Sequence, residues 1–167
     1  MNLKVLLMIL GLSVLLVLVF SLFQVKNGEN DQKVLGVVIQ DLEVNPEFYD
    51  LGQVQMKDGN VVKTYEIKNT SDEIMKLKRV ATSCMCTKVK IKIGDRETRE
   101  FGMEGMGDKN PPVNLELTAG QTATVTVVFD PNAHGPKGVG PFERAIFLYF
   151  SDPVGVKELK FSGIVVN

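Results

Sequence analysis

Two cysteines, a single histidine and several methionines are the residues of this 167-residue chain whose types and spacing could do chemistry. Cys84 and Cys86 stand in the stretch "TSCMCT", separated only by Met85. Side chains at i and i+2 leave the same side of an extended strand, farther apart than the ~3.8 Å between Cβ atoms that a relaxed disulfide wants. A bridge between them therefore requires the chain to turn. It would close a very small ring, constrain the unfolded chain little, store strain and reduce easily, and only an oxidising compartment would sustain it. A second chemistry is metal binding. Two thiolates, the thioethers of Met85, Met103 and Met106, and the imidazole of His134 form a donor set soft enough for Cu(I). In "GMEGM" the M-x-x-M spacing lets two sulfurs converge from one turn of loop. Zinc is served poorly by one histidine and no further thiols. Methionines also fill gaps in cores and loops without any metal. A third chemistry would make Cys84 or Cys86 a nucleophile activated by His134, but neither a group to orient the imidazole nor an oxyanion nest is identifiable. The sequence therefore reads as a non-enzyme, with disulfide and soft-metal site both open.

The elements that must position these residues begin with an anchor. Leu3 to Phe23, "LKVLLMILGLSVLLVLVFSLF", is apolar apart from Lys4 and two serines, and about 20 such residues cross a bilayer as a helix. The run ends without an A-x-A-like cleavage site, and no neighbouring cysteine could accept a lipid. Residues 1–23 are thus expected to form an uncleaved transmembrane signal-anchor, residues 24–36 a polar linker, and residues 37–167 a domain outside the cytoplasm. The expected address is the cytoplasmic membrane, single-pass, with the domain in the periplasm or on the cell surface. Beyond Lys4 the chain has 18 basic and 20 acidic residues, a balance that leaves no electrostatic footprint for nucleic acid. The lysines of "TKVKIKI" alternate with Val89, Ile91 and Ile93 and read as the solvated face of an edge strand.

Everything after the linker reads as short strands. Runs at 37–44, 61–68, 73–80, 87–93, 113–118, 121–129, 143–150 and 156–166 are β-branched or alternate with period two, bounded by turn residues. The pair around Ala119-Gly120 reads as a tight hairpin, and "SDPVG" as a second turn. Seven to eight strands of this kind predict an all-β, immunoglobulin-like antiparallel β-sandwich. Cysteines two positions apart cannot be the inter-sheet bridge of antibody domains, and tryptophan is absent. Two longer loops, 94–112 and 130–142, are where function is expected. "NTS" at Asn69 fits either a glycosylation acceptor or ordinary turn chemistry.

"YDLGQVQMKDGNVVKTYEIKNTSDEIMKLKRVATSCMCT", followed by "LTAGQTATVTVVFDP" and "LKFSGIVV", resembles the bacterial and archaeal family known as domain of unknown function 1573. Asp50-Leu51-Gly52, Asn69-Thr70, the motif Thr82, Ser83, Cys84, Cys86 and Thr87, the turn Ala119-Gly120-Gln121, and Phe129-Asp130-Pro131 stand at that family's pattern positions. The resemblance spans roughly residues 37–166. It implies a sandwich related to Hydin-like modules, usually exported and often membrane-attached, and it implies no enzyme activity. Met85 replaces the usual glycine between the cysteines. Glycine there would permit a left-handed turn, so methionine should make that conformation costlier while adding a soft ligand. The functional expectation is a non-catalytic binding or assembly module with a protein partner. Its alternative is a copper- or redox-responsive site built from Cys84, Cys86, Met103, Met106 and His134.

Overall fold

Alternating apolar residues become ten strands in the computed structural model, which describes Ser13, residues 38–107 and residues 110–167. The strands are β1 (Leu42–Asn45), β2 (Phe48–Gln55), β3 (Val61–Asn69), β4 (Met75–Thr82), β5 (Thr87–Ile93), β6 (Arg96–Glu97), β7 (Leu115–Leu117), β8 (Thr122–Phe129), β9 (Gly140–Asp152) and β10 (Val154–Val166). They form an all-β sandwich of two sheets, ordered β1-β3-β8-β5-β6 and β2-β10-β9-β4-β7. Residues 37–167 are one compact unit. The anchor expected over 1–23 and the linker over 24–36 fall, Ser13 apart, outside the described residues. Among the described residues no helix is long and apolar enough to cross a membrane.

Three expectations are corrected. The strand count exceeds seven to eight because β2 and β6 were missed; β2 lies at a sheet edge with Val54 its one buried residue, so its sequence has no apolar alternation. The sandwich is not purely antiparallel, since β2 runs parallel to β10. The segments around Ala119-Gly120 are not a hairpin: β7 pairs with β4, whereas β8 pairs with β3 and β5 in the other sheet. The turn is tight, with Gln121 N–H donating to Thr118 O at 3.0 Å and Gly120 at φ +70°, but it carries the chain across the sandwich. Among the described residues β5–β6 and β9–β10 are the hairpins, and the other consecutive strands lie in opposite sheets.

The core is the space between the two inner faces. Tyr65 and Ile67 on β3, Val89 and Ile91 on β5, Val125, Val127 and Phe129 on β8, and Ile146, Leu148 and Phe150 on β9 are buried there. Each such side chain contributes roughly 1.5–3 kcal/mol by leaving water. The Tyr65 hydroxyl donates to Lys160 O at 2.8 Å, tying β3 to β10 across the core. Burial, with Tyr49 as a second cause, pushes its phenol up from the ordinary tyrosine value.

One irregularity decides where the cysteines point. Met75 and Leu77 face inward, so strict alternation would turn Arg79 and Ala81 inward after them and Val80, Thr82 and Cys84 outward. The register of β4 against β9 instead shifts between Leu77 and Arg79. Lys78 is the extra residue of this bulge, and its carbonyl accepts the Val113 N–H at 2.8 Å. Beyond it, Val80, Thr82 and Cys84 are buried.

Candidate functional site at a sheet-crossing corner

The "TSCMCT" motif is the corner at which the chain leaves β4 in one sheet and enters β5 in the other. Thr82, buried, places its one hydroxyl proton between Cys84 O at 2.9 Å and Thr87 O at 3.1 Å, a shared bond that ties the two ends of the crossing together. Thr87 N–H closes the turn on Cys84 O at 3.1 Å. Ser83 is stitched to β9: its N–H donates to Ala145 O and its hydroxyl accepts the Ala145 N–H, both at 2.9 Å. The three hydroxyl residues around the cysteines are therefore the scaffold of the corner.

Cys84 and Cys86 are joined by a disulfide across this turn, with Cα atoms 5.2 Å apart. They are 7% and 2% exposed, whereas Met85 between them is 40% exposed and turns to solvent. The glycine argument does not hold for this chain. Among the described residues every positive φ belongs to glycine, so Met85 makes the turn in an ordinary backbone conformation.

A second loop delivers the histidine. Asp130 N–H donates to Cys86 O at 2.8 Å, fixing the end of β8 against the corner. The Asp130 carboxylate accepts the Asn132 N–H at 2.8 Å, and Gly135 N–H donates to Asn132 O at 2.8 Å. The resulting turn leads into the 3₁₀ segment Gly135–Gly138 and sets His134 Nε2 3.1 Å from Cys84 Sγ. A Cβ placed on Gly138 would come within 3.0 Å of the His134 Cβ, so this glycine makes room for the imidazole. Phe129-Asp130-Pro131 thus serves the same site as the cysteine motif: Phe129 packs beneath it, Asp130 clamps it, and the turn that follows supplies a ring nitrogen.

Arg144 completes the site and was not anticipated. Its Nε donates to Cys86 Sγ at 3.2 Å, its Nη1 donates to Glu143 O at 2.8 Å, and its guanidinium lies 5.6 Å from the centre of the Phe142 ring. Phe142 in turn stacks on Phe129 with centroids 4.5 Å apart. No carboxylate pairs with Arg144 among the described residues. Burial lowers its pKa from the ordinary arginine value by desolvation, the cost of a half-buried cation without a counter-charge. The signal for it lay in "FERAIFLYF", where Arg144 falls in phase with Phe142, Ile146, Leu148 and Phe150 on the inner face of β9.

The structure therefore gathers Cys84, Cys86 and His134, whose candidate ligand atoms all lie within 4.8 Å of one another. Of the loop methionines, Met103 is half-buried and Met106 exposed. Their loop meets the motif through backbone: Thr82 N–H donates to Gly102 O at 3.1 Å, and Asn110 grips both polar groups of Gly102 at 2.7 and 3.0 Å. The lysines of β5 lie on the outer face, opposite buried Val89, Ile91 and Ile93.

Comparison with known proteins gives a family name to the first half of this arrangement. Residues 42–103 match the family described as "Protein of unknown function (DUF1573)". The matched region holds the cysteine corner; Phe129, His134 and Arg144 lie beyond it. No curated protein matches the chain. Among solved structures, a protein of unknown function from Porphyromonas gingivalis W83 superposes with TM-score 0.52 and 18% identity, over 74% of this chain and 46% of that one. This chain thus spans less than half of that protein, and the likeness is one of fold. PapD-like domain 7 of human CEP192 gives TM-score 0.46 and 13% identity over 80% of this chain and 93% of that domain. WR4, an MSP family member of C. elegans, gives 0.43 and 13% over 77% and 100%.

Proposed function

We propose that this protein is a non-catalytic binding or assembly module, an immunoglobulin-like sandwich held by an N-terminal anchor at the cytoplasmic membrane and facing outward from the cell. The observation that carries the binding role is the open edge of β2. It is the longest edge strand of the two sheets, eight residues against four, two and three for β1, β6 and β7. A shallow groove separates it from β3, lined by Leu51, Val54 and Gln55 on one side and Val61 and Lys63 on the other. At the start of the same strand Phe48 is 45% exposed. Such an edge offers a row of backbone donors and acceptors to an extended segment of a partner, the β-augmentation mode of recognition. The apolar run at 3–23 supports the anchor, and the Cys84–Cys86 bond suits a compartment more oxidising than the cytosol.

Photo-crosslinking in native membranes tests the binding role. A crosslinker at Gln53 on β2 is expected to yield a discrete adduct, and one at Phe147 on β9, in the middle of the same sheet, to yield none. Equal labelling at both positions, or none at either, would overturn the edge reading. For the anchor, the full chain should resist carbonate extraction from membranes and be digested by protease added outside the spheroplast. Release by carbonate, or protection from the protease, would refute it.

A further inference from the structure

The corner contains a mismatch that the sandwich alone does not explain. Arg144 is an inward-pointing, half-buried cation, and the group its Nε addresses is a disulfide sulfur, which is a weak acceptor without charge. His134 likewise spends Nε2 on the other sulfur of the same bond. Both groups suit an anionic sulfur centre far better than a neutral one. The three donor atoms Sγ of Cys84, Sγ of Cys86 and Nε2 of His134 already stand within 4.8 Å of one another. Two bonds of roughly 2.0–2.3 Å to thiolate and imidazole donors reach across at most about 4.6 Å, so a d¹⁰ ion needs the three donors to draw in by only a few tenths of an ångström.

We propose that the reduced corner is a Cu(I) site in which Cys84, Cys86 and His134 supply an S₂N donor set, Arg144 balances its charge, and the disulfide is its closed state. Opening requires a dithiol reductant. The Cys84–Cys86 S–S bond breaks, two S–H bonds form with two electrons and two protons from the dithiol, and the dithiol becomes a disulfide. Cu(I) then replaces the two thiol protons. Two thiolates, a neutral imidazole and one monovalent cation sum to a single negative charge, which the guanidinium beside Cys86 neutralises. Zn(II) with the same donors would be neutral and would leave Arg144 uncompensated; it would also lack the fourth protein donor of a closed structural site. Soft thiolates and low coordination number select Cu(I). The Phe129–Phe142 stack lies beneath the guanidinium and keeps water from that side. This inference stands independently of the β2 edge and the anchor.

The test uses the full chain in detergent, without oxygen, competing for Cu(I) against bicinchoninate. After reduction by dithiothreitol and desalting, the chain is expected to withdraw one equivalent of Cu(I); the disulfide form should withdraw none. His134→Ala and Arg144→Gln should each loosen the complex about 10- to 100-fold, the range found when groups supporting a metal site are removed. Arg144→Lys, which keeps the charge, should recover part of the loss, and Met103→Leu with Met106→Leu should change nothing. Each variant's thermal unfolding in the disulfide form separates loss of ligand from loss of fold. Failure of the reduced chain to take Cu(I), unchanged affinity in folded His134→Ala, or a preference for Zn(II) over Cu(I) would overturn the proposal.

Discussion

Two places where the chain changes sheets solve the same problem with different chemistry. At the corner Thr82–Thr87, a disulfide and hydroxyl groups hold the crossing. At the other, β3 leaves for β4 beside the point where β7 crosses to β8, and one fully buried residue, Asn69, holds both. Its amide nitrogen donates to Glu73 O at 2.7 Å and Leu117 O at 2.9 Å, while its Oδ1 accepts from the backbone N–H of Ser71 at 3.0 Å and from the Ser71 hydroxyl at 2.7 Å. Its backbone bonds to Gly120 and Gln121 at 2.9 and 3.0 Å. Every polar group of that residue is matched, and nothing remains to address a ligand. The buried amide also rules out the glycosylation reading of "NTS". The cysteine corner, by contrast, leaves an arginine without a carboxylate and an exposed imidazole facing sulfur. A crossing satisfied on itself is structural; one with donors in excess is where chemistry can be placed.

That contrast can be broken by substitution. The largest effect is expected from Asn69→Ala, which strands buried Leu117 O, removes the partner of the Ser71 donors and leaves a cavity at a fully buried position; at roughly 1–3 kcal/mol per unsatisfied buried group, urea unfolding should show a loss of about 3 kcal/mol, with Cys84 and Cys86 still bonded. Thr82→Val keeps the shape but leaves two corner carbonyls with one partner fewer, so a loss of about 2 kcal/mol is expected by the same measurement. Tyr65→Phe removes the cross-sheet bond to Lys160 O and should cost about 1 kcal/mol. The buried Tyr65 phenol titrates above its unfolded value, so its contribution is complete below pH ~10 and is lost as pH rises beyond it. The wild type should therefore lose more stability than Tyr65→Phe between pH 9 and pH 11. The smallest effect is expected from His134→Ala: the ring is exposed, so the oxidised chain should lose less than about 0.5 kcal/mol.

Much of the sandwich was legible because one face of each central strand is buried, which imprints period two on β3, β5 and β8. β2 was illegible for the converse reason, since an edge strand with solvent on several sides needs no alternation. The Thr118–Gln121 turn misled because Ala119-Gly120 specifies a tight reversal and says nothing about which sheet receives the next strand. At the site, Cys84, Cys86 and His134 were legible as chemical types, and only the fold could show that the loop after Phe129 lands on the corner. Arg144 was under-read: an arginine in a strand is ordinarily taken to face solvent, although its phase with Phe142 and Ile146 placed it inside.

The most direct test of this division of labour is the unfolding free energy of Cys84→Ser with Cys86→Ser, measured in urea under air beside the wild type. A bridge between residues two apart closes so small a loop that the chain-entropy contribution is under about 2 kcal/mol. The account predicts a loss below that figure with an unchanged m-value, smaller than the loss in Asn69→Ala. A loss equal to or greater than that of Asn69→Ala would contradict it, and would make the cysteine corner a staple of the fold.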